Sequence, residues 1–273
     1  MVLGVAWCWA QINLGTCCGS QPKVGLLPWF AAGGVGIDTA FIYGDQQDIA
    51  KGLAASGKKR SDYFITTKIT SGTSSDPKHC QPDPLISYNE LKVCLQQLNV
   101  SYVDMVLLHR PCQQSGAPKG TIKDPDASNN ALWSGLERAM KEGLTRAIGV
   151  SNYDATQLGA LQGTVPALNQ CEMSLKSHDD ATILYSQQHN ITYEAYGTMR
   201  GCEFTNPAIT KIAKAHSVST AQVCSRWVLQ RGAIMATGTG SDASKAPEYS
   251  KEDLDIFGFA LTAAEMDELN KIK

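Results

Sequence analysis

The chain has 273 residues, of which 43% are hydrophobic, and its formal net charge at neutral pH is −2. This length fits one large α/β domain with an apolar core, and the near-zero charge excludes the basic surface on which nucleic-acid binding depends. No apolar run reaches the ~18 residues that a membrane-spanning helix needs. We therefore expect a protein that binds neither nucleic acid nor membrane and that acts on a small molecule.

The nine cysteines form an odd set with no C-x-x-C spacing and no histidines at zinc-ligand intervals. Two of them, Cys17 and Cys18, are adjacent in the chain. Reduced thiols in a cytosolic protein explain such a set better than a disulfide framework does. We therefore predict structural or incidental thiols, a cytoplasmic location and no metal site.

Strand-like runs alternate with helix-like runs along the chain, a pattern typical of a parallel sheet with crossover helices. The predicted strands lie at 12–15, 35–38, 63–67, 103–108, 147–150, 167–170, 191–195 and 233–236. Helices are predicted near 28–33, at 46–56 and 85–98, around 132–140, and at 207–216 and 220–231. Since no linker interrupts the alternation, the sequence predicts a single α/β domain over residues 1–273, folded as a (β/α)8 TIM barrel.

Four chemically distinctive residues follow three successive predicted strands. Asp38 and Tyr43 come just past the second strand, Lys68 closes the third and His109 closes the fourth. Catalytic groups of such barrels lie at the C-terminal ends of the strands, so these side chains should share one mouth. Taken singly, each has an ordinary alternative role. Asp38 could cap a turn and Tyr43 could be a packed aromatic. Lys68 could be a solvated strand end and His109 a loop histidine.

These four residues also carry a resemblance to a known family. The chain is similar to the aldo-keto reductases, (β/α)8 barrels that reduce carbonyls with a nicotinamide cofactor. The family's tetrad matches Asp38 and Tyr43 in GIDTAFIYG, Lys68 in FITTKI and His109 in DMVLLHRP. Three further segments follow in the family's order: IGVSNY at 148–153, LNQCEMS at 168–174 and YEAYGTM at 193–199.

Carbonyl reduction needs a hydride at carbon and a proton at oxygen, which assigns a role to each tetrad residue. A free tyrosine has a pKa near ~10, and a neighbouring ammonium lowers it. Tyr43 is therefore the expected general acid, Lys68 the group that lowers its pKa, and Asp38 the partner that holds the lysine. His109 is expected to donate a hydrogen bond to the substrate oxygen, so that Tyr43 and His109 both contact the carbonyl.

The cofactor contacts are implied by the resemblance. It places Ser151, Asn152 and Gln170 at the nicotinamide carboxamide, and Tyr196 against the nicotinamide ring, a task for which a flat aromatic ring is suited. The further positions that it assigns to cofactor binding are Thr16, Cys17, Asp38, Thr237, Gly238, Thr239, Ser241, Lys245, Glu252 and Asp253. The cofactor that the family uses is NADPH or its oxidised form NADP+.

The chain departs from the family pattern after the eighth predicted strand. Family members usually carry a Lys-Ser pair there to bind the 2′-phosphate of NADPH, whereas this chain has TGTGSDASK at 237–245. Hydroxyls and glycine amides can still hold a phosphate, with Lys245 supplying charge. The residues Glu252 and Asp253 match positions that face the adenine. NADH therefore stays open as an alternative cofactor.

Two loops bear on the substrate. The stretch 70–84 is long enough to form a lid, whereas the loop after Tyr196 is short, which favours an open pocket for small aldehydes or ketones. Expected pocket walls are Cys80, Cys112, Trp29 and Trp133. The resemblance also implies a monomer, and it leaves a different class of function open: a cofactor-binding regulatory or interaction protein of the same fold.

Overall fold

The computed structural model describes residues 11–69, 79–112 and 122–272. The resemblance also suggests that residues 1–11 form a short hairpin at the bottom of the barrel. All of this stretch except Gln11 lies outside the described residues. So does most of the predicted lid at 70–84. No helix within the described ranges is long and apolar enough to cross a membrane.

Eight strands in the described residues follow one another around a closed barrel, in chain order. They are β1 (Ile12–Gly15), β2 (Gly36–Asp38), β3 (Phe64–Ile69), β4 (Val103–Leu108), β5 (Thr145–Ser151), β6 (Leu168–Glu172), β7 (Thr192–Tyr196) and β8 (Ile234–Thr237). The pairings of β3 with β4, β4 with β5, and β1 with β8 are parallel. The predicted (β/α)8 TIM barrel is thereby confirmed.

Helices alternate with these strands. They are α1 (Pro22–Ala31), α2 (Gln46–Ser56), α3 (Pro84–Leu98), α4 (Pro125–Lys141), α5 (Ala155–Ala160), α6 (Asp180–Gln188), α7 (Pro207–His216), α8 (Thr220–Gln230), α9 (Ala246–Leu254) and α10 (Ala263–Leu269). The starts of α3 and α4 share one device: proline at the first position, preceded by Asp83 or Asp124, whose carboxylate accepts a backbone N–H of the first turn. Both features stabilise a helix start.

The first helix begins earlier than predicted. We expected it near 28–33, but α1 starts at Pro22. Proline is well tolerated in the first turn because its missing N–H would have no helical partner there. Pro28 lies inside the helix rather than at its start, so the sequence interpretation assigned the helix start to the wrong proline.

The chain divides into two compact units. We call the first the terminal unit, which comprises Met1–Gly36, Cys171–Asp180 and Tyr193–Lys273; the second, the central unit, comprises Ile37–Gln170 and Ala181–Thr192. The prediction of one domain over the whole chain stays a prediction.

Helices α3 and α4 of the central unit approach each other closely. A Cβ on Gly135 would lie 2.1 Å from the carbonyl oxygen of Pro84, a distance that no side chain can occupy. The hydroxyl of Ser87 donates to the carbonyl of Leu132 at 2.7 Å across the same contact. Helix α3 packs on β3 and β4, and α4 packs on β4. These strands carry Lys68 and precede His109.

Asp104 joins the N-terminal ends of β3 and β4. Its buried carboxylate accepts hydrogen bonds from Arg60 at 2.5 Å, from Arg146 at 3.0 Å and from the backbone N–H of Ile65 at 2.9 Å. Both carboxylate oxygens are therefore used by charged or buried donors. Since Ile65 belongs to β3 and Asp104 to β4, this cluster fixes the two strands relative to each other.

We expect Asp104→Asn to lower the free energy of unfolding by about 1–3 kcal/mol, because the neutral amide weakens hydrogen bonds that are assisted by charge. Urea denaturation followed by circular dichroism measures this loss. Asp267→Asn, the same change at an exposed position on α10, is the matched control. Equal denaturation midpoints for the two variants would show that the Asp104 cluster contributes nothing to stability.

The structure corrects the prediction about the cysteines. Three disulfides lie in the described residues: Cys17–Cys18, Cys80–Cys112 and Cys202–Cys224. The expectation of reduced thiols is therefore wrong for these six, while Cys94 and Cys171 form no disulfide within the described residues. The two longer bridges join residues 32 and 22 positions apart whose Cα atoms the fold brings to 5.6 and 6.1 Å. Disulfides are typical of oxidising compartments. The cysteines therefore no longer support the predicted cytoplasmic location.

Candidate active site

The tetrad residues lie at the C-terminal ends of three neighbouring strands of the central unit. Asp38 is the last residue of β2, Lys68 lies near the end of β3, and His109 directly follows β4. A single 3₁₀ turn at Phe41–Tyr43 follows β2 and ends at Gly44, whose φ of 71° is in the left-handed region that suits glycine. This turn places Tyr43 beside the other three side chains.

Lys68 and Asp38 form a buried ion pair. The Lys68 Nζ lies 2.5 Å from Asp38 Oδ1, and both side chains are almost completely buried. Lys68 also donates to the carbonyl oxygen of Thr39 at 3.1 Å, and Asp38 Oδ2 accepts from the Gln170 amide at 2.8 Å. Burying two charges is tolerated only with such pairing and further hydrogen bonds. The ammonium is thus fixed in one position.

The Tyr43 ring lies against both Lys68 and His109. The Lys68 Nζ is 5.2 Å from the centre of the Tyr43 ring, and the His109 ring meets it edge-on at 5.7 Å between centroids. Burial raises the pKa of Tyr43 above its ordinary value, and the nearby Lys68 ammonium opposes this effect only in part. The expectation that Lys68 would bring the pKa below that of free tyrosine is therefore wrong for the net effect. The phenol keeps its proton at neutral pH.

His109 is neutral at physiological pH. Burial lowers the pKa of its imidazole to about 3, and the positive charges of Lys68 and Arg110 act in the same direction. Its backbone N–H donates to the carbonyl of Ile69 at 3.0 Å, and its carbonyl accepts from the Asn152 side chain at 2.9 Å. A neutral imidazole carries one N–H, so it can donate a hydrogen bond to a substrate oxygen.

The three residues predicted to bind the nicotinamide carboxamide are brought together in the same unit. Ser151 ends β5, and its hydroxyl donates to the backbone carbonyl of Gln170 at 2.7 Å. Asn152 has a φ of 62°, and its backbone N–H donates to that same carbonyl at 2.9 Å. The Asn152 side chain donates to His109 and to the Ser151 hydroxyl. Hydrogen bonds therefore connect this trio to Asp38 and His109 of the tetrad.

The other predicted cofactor residues lie in the terminal unit. Tyr196 ends β7, its carbonyl accepts from the N–H of Met173 at 3.1 Å, and the Arg200 guanidinium lies 5.6 Å from its ring centre. Thr16 follows β1 and is buried, whereas Cys17 is bonded to Cys18. Tyr196 and Thr16 therefore lie at the C-terminal ends of β7 and β1.

The segment after β8 has two further features in the terminal unit. The Thr237 hydroxyl donates to Asp253 at 3.2 Å, and burial raises the pKa of the Asp253 carboxyl to about 7. Lys245 forms an exposed ion pair with Glu248 at 3.0 Å. Of the remaining predicted residues, Thr239 is buried and Ser241 is exposed. Gly238 lies close to Ser20, and Glu252 lies near Asp253 and adds to the rise of its pKa.

All four expected pocket walls are buried: Cys80 and Cys112 are joined by a disulfide, and the two tryptophans are core residues. Trp29 and Trp133 have no exposed surface. The indole N–H of Trp29 donates to the carbonyl of Gly36, and that of Trp133 donates to the carbonyl of Thr164. Residue type alone could not distinguish a tryptophan on a pocket wall from one in the core.

Sequence reasoning missed a supporting residue. The Thr39 carbonyl accepts from Lys68, and the Thr39 hydroxyl donates to Asp45 at 2.8 Å. Thr39 thus connects the ion pair to the segment that leads into α2. Its place directly after Asp38 was a usable signal. Among the described residues, no group of three or more His, Cys, Asp or Glu side chains could hold a metal ion.

A family model described as the aldo/keto reductase family matches residues 26–273 of this chain. An aldo-keto reductase of Mycolicibacterium vanbaalenii is 33% identical over 263 residues, which cover 95% of this chain and 86% of that protein. An aldo-keto reductase of Mycolicibacterium smegmatis is 33% identical over 240 residues, covering 86% of this chain and 76% of that protein.

Solved structures show the same similarity. A crystal structure of an aldo/keto reductase from Brucella melitensis matches with a TM-score of 0.80 and 28% identity, over 96% of this chain and 95% of that one. A crystal structure of a Bombyx mori aldo-keto reductase in complex with NADP matches with a TM-score of 0.80 and 25% identity, over 96% and 88% of the two chains.

Proposed function

This chain belongs to the aldo/keto reductase family of oxidoreductases, and we propose that it reduces aldehydes or small ketones to alcohols with NADPH as hydride donor. One observation carries the proposal: the buried Lys68–Asp38 pair lies beside a protonated Tyr43 and a neutral His109. A binding protein would not need a buried charge pair next to a phenol, because burying charges costs stability.

The residues of the central unit fit a nicotinamide carboxamide. A carboxamide has an N–H₂ group that donates and a carbonyl that accepts. Ser151, Asn152 and Gln170 together offer both kinds of group, in hydrogen-bonded contact with one another. When bound, the reduced nicotinamide supplies a hydride to the carbonyl carbon. The family's use of the cofactor is illustrated by the Bombyx mori structure that contains NADP.

The chain's own residues then handle the substrate oxygen. His109 donates a hydrogen bond that orients the carbonyl, and Tyr43 transfers its phenolic proton to the oxygen as the alcohol forms. Lys68 stabilises the phenolate that is left, and Asp38 keeps the ammonium in place. In the oxidation of an alcohol the same phenolate would act as the base.

We also propose that the predicted residues of the terminal unit bind the cofactor: Thr16, Cys17, Tyr196, Thr237, Gly238, Thr239, Ser241, Lys245, Glu252 and Asp253. The hydroxyls after β8 and the Lys245 charge support a phosphate contact. A monomer and a cytoplasmic location belong to the same proposal, the second without support from the cysteines. Size-exclusion chromatography tests the first, and cell fractionation followed by immunoblotting tests the second.

Consumption of NADPH and of NADH, each with a panel of small aldehydes and ketones, tests the proposed activity. Turnover that prefers NADPH supports it, and turnover with NADH alone would reassign the cofactor. Binding of either cofactor without turnover of any panel member would favour the alternative, a regulatory protein that binds the cofactor.

The pH dependence of carbonyl reduction follows from the two shifted groups. With the His109 pKa lowered to about 3, the imidazole stays neutral at every pH above about 4. With the Tyr43 pKa raised, the phenol stays protonated through neutral pH. We therefore expect kcat/KM to be nearly flat between pH 5 and 9 and to fall only in strong alkali. A limb with an apparent pKa near ~6.5, the ordinary value for histidine, that disappears in His109→Gln would contradict this.

A further inference from the structure

The chain segment from His109 to Cys112 is held at both ends. At His109, the backbone N–H donates to Ile69 of β3 and the carbonyl accepts from Asn152 after β5. At Cys112, the backbone N–H donates to the Asn129 side chain at 2.7 Å, and the sulfur is bonded to Cys80. Four different parts of the central unit thus fix four consecutive residues.

Asn129 of α4 is the centre of the second attachment. Its Oδ1 accepts from the Cys112 N–H and from the Tyr153 hydroxyl at 3.2 Å, and its amide donates to the Cys112 carbonyl at 3.5 Å. The Tyr153 carbonyl in turn accepts from Asn169 of β6 at 2.9 Å. All of these side chains are almost completely buried. A buried, satisfied network of this kind holds its members in one arrangement.

The Cys80 side of the bridge is anchored on the same helix. The Cys80 carbonyl accepts from the Ser128 hydroxyl at 3.2 Å, and Ser128 precedes Asn129 in α4. Cys80 and Cys112 are both about 98% buried. The disulfide therefore joins the segments after β3 and β4 against the first turns of α4, three residues from His109.

We propose that the Cys80–Cys112 disulfide and Asn129 are positioning elements of the active site, which set the place of the His109 imidazole and thereby orient the substrate carbonyl. This inference rests on the proposed function, in which His109 contacts the carbonyl oxygen. Within the part of the chain that the structure describes, the His109 imidazole packs edge-on against Tyr43 and makes no side-chain hydrogen bond. Its place therefore depends strongly on how its backbone is held. Displacement of an orienting group by about 1 Å can cost ~100-fold in rate.

The second long bridge offers a matched control. Cys202 and Cys224 are also buried and are separated by 22 residues, against 32 for Cys80 and Cys112. They belong to the terminal unit, and none of the tetrad residues does. Both bridges should stabilise the fold to a similar extent, so only a positioning role separates them.

The experiment compares Cys80→Ala/Cys112→Ala with Cys202→Ala/Cys224→Ala. We expect both double variants to show lower thermal midpoints. Only the first should lose kcat/KM toward an aldehyde, by about 10- to 100-fold, mostly in kcat, with the dissociation constant of NADPH changed by less than about twofold. Amide hydrogen exchange at residues 109–112 should accelerate in the first variant alone. Peptide mapping of the non-reduced wild type must recover the 80–112 bridge.

Asn129→Ala provides a second variant in which the disulfide is intact. It should show the same loss of kcat/KM and the same faster exchange at 109–112, because Cys112 loses its acceptor. Equal kinetics and equal exchange in all variants and wild type would overturn the inference, as would free thiols at Cys80 and Cys112. If wild type itself reduces no panel member, the proposed function has failed instead, and the exchange data still decide whether the bridge positions His109.

Discussion

Replacement of Tyr43 by phenylalanine is expected to lower kcat for carbonyl reduction by about 10²- to 10⁴-fold, the range that a lost general acid accounts for. The ring, and with it the contacts to Lys68 and His109, would remain. Because the phenol is only partly buried, the loss of one oxygen should leave the thermal midpoint almost unchanged. Steady-state kinetics with the best aldehyde of the panel, together with thermal unfolding, measure both quantities.

Tyr185→Phe is the matched control, since it removes the same atom from a tyrosine on α6 that stacks on His189. It should retain wild-type turnover. Cofactor affinity should be close to wild type in both variants, which shows that the loss lies in proton transfer. A Tyr43→Phe enzyme with more than about a tenth of wild-type kcat would mean that another group supplies the proton.

Replacement of Lys68 by methionine should be the most destabilising change in the site. Lys68 is 1% exposed, and its removal leaves the buried Asp38 carboxylate without its counter-ion. Breaking a buried pair in this way costs about 3–5 kcal/mol. Activity should be lost as well, because no charge is left to stabilise the phenolate. Urea denaturation with and without the substitution measures the loss of stability.

The double variant Asp38→Asn/Lys68→Met separates the two effects of the ion pair. With both charges removed, stability should recover most of the loss, since no unpaired charge is left buried. Activity should not recover. Lys211→Met, which breaks an exposed pair with Glu268, should change stability little. A Lys68→Met protein as stable as wild type would show that Asp38 is already satisfied by Gln170.

Local sequence signals located the strand ends and hence the tetrad. The apolar run 103–108 has the bounds of β4, and α2 and α7 also lie where predicted. Asp38, Lys68 and His109 were found because each follows such a run. The pKa values of these groups depend on how deeply the fold buries them, which the residue types alone do not reveal. The net direction of the Tyr43 pKa shift was therefore missed, although the Lys68 contribution was correct in sign.

Long-range pairings were the part that the sequence could not reveal. Cys80 and Cys112 have no spacing signature, and they meet because β3 and β4 are neighbours in the sheet. Asn129 gave no signal within its helix, since an asparagine in a helix usually faces solvent. Its role depends on the backbone of Cys112, which arrives from a different strand. Contacts of this kind follow from the fold as a whole.

The backbone at Asn152 restricts which residues evolution can place there. A φ of 62° excludes β-branched and bulky side chains and is tolerated mainly by glycine, asparagine and aspartate. Glycine would give up the hydrogen bond to the His109 carbonyl, and an ionised aspartate has no proton to donate to it. Asparagine meets both demands, so substitutions at this position should be rare in any descendant that keeps the tetrad.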